Sequence, residues 1–121
     1  MENQVFINGQ TVPYHKMVAS LFKEMGKPSD NIMHAAVGIS GEAGELLDAV
    51  KKMWAYNKPL DRANVIEELG DIEFYLQAIR NALGLRREET LQANASKLAI
   101  RYSSGKYSDE QAQARADKEQ P

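Results

Sequence analysis

Apolar residues recur at spacings of three and four positions along most of the chain, which is typical of helices that bury one face. The clearest run starts at Val65, passes through Ile72 and ends at Leu83. Strict alternation of apolar and polar residues, which is typical of strands, is confined to the first dozen residues. The pattern predicts four main helices, over residues 13–25, 30–56, 62–83 and 86–102.

The ends of these helices have recognisable signals. Pro13 suits the first position of a helix, and Gly26 suits the residue that ends it. Ser29 and Asp61 are good N-cap residues for the second and third helices, because their side-chain oxygens can accept a hydrogen bond from a free backbone N–H. Gly84 closes the third helix. The connections are short, so we expect consecutive long helices to be antiparallel neighbours.

Short elements flank the helices. An Asn8-Gly9 pair between VFI and QTV predicts a hairpin within residues 1–12, because both residues tolerate the positive φ of a two-residue turn. Ser108 and Gln111 form a capping-box pattern that predicts one short C-terminal helix. After that helix we expect a frayed end.

The predicted fold is therefore all-α. It has a four-helix-bundle-like core with two long antiparallel central helices, a short N-terminal hairpin and a short C-terminal helix. We expect one domain over residues 1–107 with its core at 30–107, followed by a helix and tail at 108–121.

Composition narrows the function classes. Hydrophobic residues make up 43% of the 121 residues and charged residues 26%, with a net charge of −2. That balance favours a soluble, cytoplasmic protein and gives no reason to expect a polymeric nucleic acid or a membrane as partner. The absence of cysteine excludes thiolate nucleophiles and cysteine-based metal sites.

Two pairs of carboxylates occupy matching positions on the second and third predicted helices. At about 100° per residue, Glu42 lies at the edge of one apolar stripe and Glu45 lies about 60° further round. Glu68 and Asp71 repeat this arrangement on the next helix. One such pair is typical of a solvated face, but two beside facing stripes predict four carboxylates along one seam. Their repulsion would be relieved by Mg²⁺, or by Mn²⁺ in its place, since both prefer oxygen ligands.

Positive charge is available nearby in the sequence. Asn94, Lys97 and Arg101 share one stripe of the fourth predicted helix, and Lys52 lies on the Glu45 side of the second. A metal–phosphate site needs such cations for the phosphate oxygens that the metal leaves free. The alternative is an ordinary solvated face. Tyr75, one to two turns beyond the second pair of carboxylates, is a further candidate for lining the site.

Three glycines interrupt the second helix, and each costs about 1 kcal/mol relative to alanine. Gly38 and Gly41 lie on the carboxylate side, where they leave room either for a substrate or for a neighbouring helix. Gly44 we assign to helix packing. Trp54 follows the apolar stripe and is predicted to lie in the core or at a subunit interface rather than to stack on a base.

The stretch GEAGELLDAVKK, followed by EELGD, resembles the ExxE…ExxD signature of the MazG-like nucleoside triphosphate pyrophosphohydrolases. The segment NASKLAIRYSSGKY is similar to another part of that family, so the resemblance covers roughly residues 30–107. Many members have a glutamate where this chain has Gly41, and Glu67 or Asp48 are candidates to replace it. The resemblance implies Mg²⁺ ligands and phosphate contacts at these positions: Glu42, Glu45, Glu68 and Asp71 for the metal, and Asn94, Lys97, Arg101, Tyr102 and, less strongly, Lys106 for phosphate.

The resemblance also implies the reaction and the assembly. We expect hydrolysis of a (deoxy)nucleoside triphosphate to the monophosphate and pyrophosphate, in housecleaning or control of the nucleotide pool. Glu42 or Glu45 would act as the general base. Family members are typically dimers or dimers of dimers, so a homodimer or homotetramer is expected. The competing hypothesis is a non-catalytic helical oligomerisation or adaptor module whose acidic seam binds a basic partner.

Overall fold

The computed structural model describes residues 3–118, and it begins with the predicted hairpin. Strands β1 (Gln4–Ile7) and β2 (Gln10–Pro13) are antiparallel, with Ile7 opposite Gln10. Asn8 and Gly9 have φ values of 52° and 78°, which are the two positive angles that a type I′ turn requires. The hairpin prediction is confirmed for the described residues.

Five α-helices and one 3₁₀ turn follow within the described residues, and the all-α prediction is confirmed. The two longest helices are consecutive and central, as the sequence predicts. The helices are α1 (Tyr14–Leu21), α2 (Pro28–Tyr56), α3 (Arg62–Leu83), α4 (Arg87–Arg101) and α5 (Asp109–Ala114), and the 3₁₀ turn spans Ala116–Lys118.

The limits of α3 follow the predicted caps. The Asp61 carboxylate accepts a hydrogen bond from the Asn64 backbone N–H at 3.1 Å. Gly84 has a φ of 66°, and its backbone N–H donates a hydrogen bond shared between the carbonyls of Arg80 and Asn81 in the last turn. Both signals are local in the sequence, and both are used as predicted.

The link between α1 and α2 differs from the prediction. Helix α1 ends at Leu21, four residues early, because Phe22 has an extended backbone. The Asn31 side-chain oxygen accepts the Met25 backbone N–H at 2.7 Å, and the Glu24 carboxylate accepts that of Gly26 at 3.0 Å. These side-chain acceptors replace the helical carbonyls that would have continued α1. Helix α2 then starts at Pro28, with Lys27 rather than Ser29 at the N-cap.

The C-terminal segment is more ordered than expected. The Ser108 side chain caps α5 by accepting the Gln111 N–H at 3.0 Å, but the Gln111 side chain bonds Ser104 and Ser103, so only half of the capping box forms. The prediction of a frayed end does not hold for residues 116–118, because they form the 3₁₀ turn. Residues 119–121 lie outside the described residues.

The chain divides into two compact units, one ending at Gly84 and the other beginning at Leu85. In the first unit, Val18, Ala35 and Ala78 form the centre of the core. The domain limits at residue 107 stay a prediction. Across the described part of the chain, none of the helices has both the length and the hydropathy needed to span a membrane.

Candidate metal centre

Helices α2 and α3 pack against each other, and two contacts show that they run in opposite directions. Gly38 lies against Tyr75, whereas Glu42, one turn later on α2, lies beside Glu68, nearly two turns earlier on α3. A Cβ added at Gly38 would come within about 2.5 Å of the Tyr75 ring. Gly38 therefore permits the close approach of the two helices, which is the packing interpretation of this glycine.

Three carboxylates meet at the seam between α2 and α3. Glu42, Glu68 and Asp71 each have an oxygen, and these three oxygens all lie within 4.8 Å of one another. We call these residues the acidic triad. Asp71 and Glu68 are three positions apart on α3, so they project from neighbouring parts of one face. The structure thus brings together three of the four carboxylates that the sequence paired.

Glu68 is the most constrained member of the triad. Its residue surface is 8% exposed, and its Oε2 is buried with no hydrogen-bond partner among the described residues. The pKa of Glu68 is raised to about 7, first by its hydrogen bond with the Glu42 carboxyl and then by burial and the charges of Glu42, Asp71 and Glu45. Without a cation, Glu68 therefore holds a proton well above the pH at which a glutamate ordinarily ionises.

The acidic triad has the chemistry of a site for a hard divalent cation. All its donors are oxygens, one of them is buried and unpaired, and the other two carboxylates are only half-buried, so solvent and substrate can reach them. Mg²⁺ is bound through a few carboxylates together with waters and substrate phosphates. The residues present fit such an ion, and a bound cation would displace the proton on Glu68.

Glu45 lies outside the triad but close to it. It is exposed, and its charge contributes to the raised pKa of Glu68. It also lines a cleft of about 270 Å³ together with Asp48 and Lys52. Of the further candidates, Glu67 is exposed and is not part of the triad.

Aromatic side chains lie on the other side of the triad along the seam. The His34 ring stacks on Phe22 at 4.5 Å between ring centroids and meets Tyr75 edge-on at 6.0 Å. Tyr75 is half-buried and stands one turn beyond Asp71 on α3. It covers Gly38 as well, so its position on the seam combines helix packing with proximity to the acidic triad.

The predicted phosphate contacts belong to the second compact unit. Asn94, Lys97 and Lys106 are exposed, and Tyr102 lies against Tyr107 with ring centroids 5.7 Å apart. Arg101 is already paired. Its Nε and Nη2 donate to the two oxygens of Asp117 at 2.7 and 3.2 Å, and the Asp117 side chain is only 3% exposed.

The Arg101–Asp117 pair has the opposite electrostatics to the triad. The hydrogen bond from Arg101 lowers the pKa of Asp117 below its ordinary value, and the same bond raises the pKa of Arg101. Sequence reasoning missed this pair, because Asp117 stands 16 residues beyond Arg101 in a segment without apolar periodicity. No local spacing links the two residues.

Three other expectations concern Gly41, Gly44 and Trp54. An added Cβ at Gly44 meets no described atom of another element within 4 Å, so its assignment to packing finds no support within the described residues and stays a prediction. Gly41 is equally open, so within the described residues no neighbouring helix uses the room that it leaves. Trp54 is 82% exposed and is not part of the core that the described residues form.

The MazG nucleotide pyrophosphohydrolase domain matches residues 30–104, which include the whole acidic triad. No curated protein and no solved structure matches the chain.

Proposed function

Because this chain belongs to the MazG nucleotide pyrophosphohydrolase family, we propose that it hydrolyses (deoxy)nucleoside triphosphates to the monophosphate and pyrophosphate in a Mg²⁺-dependent reaction. The observation that carries the proposal is the acidic triad, with three carboxylates within 4.8 Å of one another and a buried, unpaired Glu68 oxygen. A solvated acidic face would not bury one of its carboxylates.

The acidic triad would hold the metal. Glu42, Glu68 and Asp71 supply its ligands, and Glu45 is the fourth carboxylate that the family resemblance implies. When bound, Mg²⁺ would neutralise phosphate charge and lower the pKa of a water molecule. Mn²⁺ would serve as a substitute, since it also prefers oxygen ligands.

Glu45 is our candidate for the general base. It is exposed and stands outside the triad, so its carboxylate is free to take a proton from the attacking water. Glu42 belongs to the triad that would hold the metal, which leaves it less available for that role. Glu45 is also the one of the four carboxylates that is exposed to solvent rather than buried or half-buried.

The phosphate contacts on α4 stay a prediction. Asn94 and Lys97 are exposed, whereas Arg101 already uses two of its donors on Asp117. Tyr102 and Lys106 complete the predicted set. We expect Lys97→Met to raise KM for the triphosphate without changing the melting temperature, because the side chain is exposed.

We propose a homodimer or homotetramer. The supporting observation is an exposed apolar face on α2, on the side of the helix away from Glu42. Its residues are between 61% and 82% exposed: Met33, Val37, Leu47 and Trp54. Exposed apolar patches of this kind mark protein interfaces. Sedimentation equilibrium tests this state, and Leu47→Glu should lower the measured mass to that of a monomer.

Pyrophosphate release from a panel of canonical and modified triphosphates, with Mg²⁺ or with EDTA, tests the proposed reaction. Release that requires Mg²⁺ is expected for at least one triphosphate. The same apolar face also favours the competing hypothesis of a helical adaptor. Mg²⁺ distinguishes the two, since a cation that binds the triad raises the melting temperature by mass action, whereas an adaptor predicts no shift.

A further inference from the structure

A cleft adjoins the acidic triad toward the C-terminal end of α2. Its volume is about 270 Å³, and most of its wall comes from α2. The start of α3 contributes Asn64. The polar side chains on its wall are Glu45, Asp48, Lys51, Lys52, Tyr56 and Asn64.

The cleft and the triad follow each other along one seam. Lys52 is seven residues beyond Glu45, which places it two helical turns, about 10 Å, further along the same face of α2. Side chains on a helix lean toward its N-terminus, so Lys52 is oriented toward the Glu45 end of the cleft that both residues line. Lys51 lies about 100° further round the helix and stands at the margin of the cleft.

Neither lysine of the cleft is ion-paired among residues 3–118. Glu45 and Asp48 line the same cleft, yet neither lysine forms an ion pair with a carboxylate in the part of the chain that the structure describes. The Asn64 amide and the Tyr56 hydroxyl add neutral donors. These donors can bind a multiply charged oxyanion that arrives with Mg²⁺, since the cation would offset the charges of Glu45 and Asp48 on the same wall.

The opposite end of the seam differs in chemistry. There the rings of Phe22, His34 and Tyr75 contact one another, and the acidic triad stands between these rings and the lysines. The parts of a nucleoside triphosphate follow in the same order. It has an aromatic base at one end, then an α-phosphate region that binds metal, and at the other end the phosphates that carry the most charge. The order of these groups along the seam therefore favours one orientation of a bound nucleoside triphosphate, with its base toward the rings and its terminal phosphates toward the lysines.

We propose that this cleft binds the β- and γ-phosphates of the substrate and then the released pyrophosphate, with Lys52 as the main cationic contact and Lys51 at its margin. The proposal rests on the proposed function, because it assigns the ends of the substrate of that reaction. It makes Lys52 a substrate-binding residue rather than part of a solvated helix face.

The test measures binding of inorganic pyrophosphate by calorimetry in Mg²⁺, to the full chain and to three single variants. Lys52→Gln should weaken binding about tenfold or more, since a charge-assisted hydrogen bond is lost, and Lys51→Gln should weaken it less. Lys58→Gln is the matched control, because Lys58 is an exposed lysine just after α2 that does not line the cleft. All three side chains are exposed, so the melting temperatures should not change.

A nucleoside monophosphate is the second probe, since it lacks the two terminal phosphates. Its affinity should be the same for the Lys52→Gln variant as for the unchanged chain. Pyrophosphate that does not bind, that binds Lys52→Gln as tightly as the unchanged chain, or that loses affinity only in parallel with the monophosphate would overturn the proposal. Failure of the proposed function has a different signature, because no triphosphate would then release pyrophosphate, whatever the binding results.

Discussion

The acidic triad and the Arg101–Asp117 pair treat buried carboxylates in opposite ways. Asp117 is 3% exposed, and both its oxygens accept hydrogen bonds from one guanidinium group. Glu68 is 8% exposed, its neighbours are other carboxylates, and its Oε2 has no partner among the described residues. A carboxylate whose charge is neutralised inside the chain has a structural role, whereas one surrounded by like charge indicates a cation that comes from outside.

The largest effect is expected when the unpaired carboxylate loses its charge. Glu68→Gln should lower Mg²⁺-dependent pyrophosphate release by about 100-fold or more, because loss of even a residue that only orients a metal ligand costs about 10–100-fold. The metal-free melting temperature should be unchanged below about pH 7 and higher above it, because the amide cannot ionise and so never adds the charge that Glu68 acquires when it loses its proton. Release is measured with a coupled pyrophosphate assay and melting by scanning fluorimetry.

Glu67→Gln provides the matched control, because Glu67 is the adjacent glutamate, is exposed and is not part of the acidic triad. It should retain nearly full activity. Equal losses in the two variants, or normal turnover by Glu68→Gln, would show that the triad is not the metal site.

The three carboxylates of the acidic triad could be predicted from the sequence because they recur at helical spacing. The carboxylates of α2 and α3 can be placed on helix faces from spacing alone, and the caps Asp61 and Gly84 fix the third helix to the residue. Spacing alone could not predict the burial of Glu68, because burial depends on how closely the two helices pack. The contact of Gly38 with the Tyr75 ring is one place where they approach closely.

The partner of Arg101 was beyond the reach of such reasoning. Its stripe on α4 predicts a free cation, but an Asp in the 3₁₀ turn folds back onto the guanidinium group. The early end of α1 has the same kind of cause, because Asn31 accepts a hydrogen bond from Met25 across six residues. In both places a tertiary contact of a side chain overrides what the local pattern predicts.

The helix contact at Gly38 tests whether the acidic triad depends on close packing. Gly38→Ala should destabilise the fold by about 1–3 kcal/mol, because the new methyl group must displace the Tyr75 ring. It should also weaken Mg²⁺ binding by moving α2 away from the α3 carboxylates. Gly41→Ala, on the same helix with open space around it, should stabilise the metal-free protein by up to about 1 kcal/mol. Chemical denaturation measures both, and equal effects of the two variants would contradict the packing role of Gly38.

A smaller loss of activity is expected when Asp117, the carboxylate that is paired with Arg101, is changed. Asp117→Asn should lower the melting temperature by several degrees, because the amide keeps one acceptor for Arg101 but removes the charge that pairs with it. Pyrophosphate release per folded molecule should fall by less than tenfold, in contrast to Glu68→Gln. If Asp117→Asn lost as much activity as Glu68→Gln and its melting temperature did not change, Asp117 would have a role in catalysis rather than in stability. The contrast between the two sites would then be contradicted.

The smallest effect, and the most direct comparison, is in pH dependence. The folded-state pKa of Glu68 is raised from 4.5 to about 7, so between these values the folded state binds more protons than the unfolded state. Its contribution to stability is present below about pH 4.5 and is lost as the pH rises through about 7. The pKa of Asp117 is lowered from 3.8, so its contribution is present above that value and is lost as the pH falls through the lower, folded-state pKa.

In EDTA, therefore, Glu68→Gln should flatten the fall in melting temperature between about pH 5 and pH 8. Asp117→Asn should change the melting temperature's pH dependence only below about pH 4. Saturating Mg²⁺ should also remove the fall near neutral pH, because the cation takes the place of the proton. A slope near pH 7 that survives both Glu68→Gln and Mg²⁺ would mean that the proton does not reside in the acidic triad.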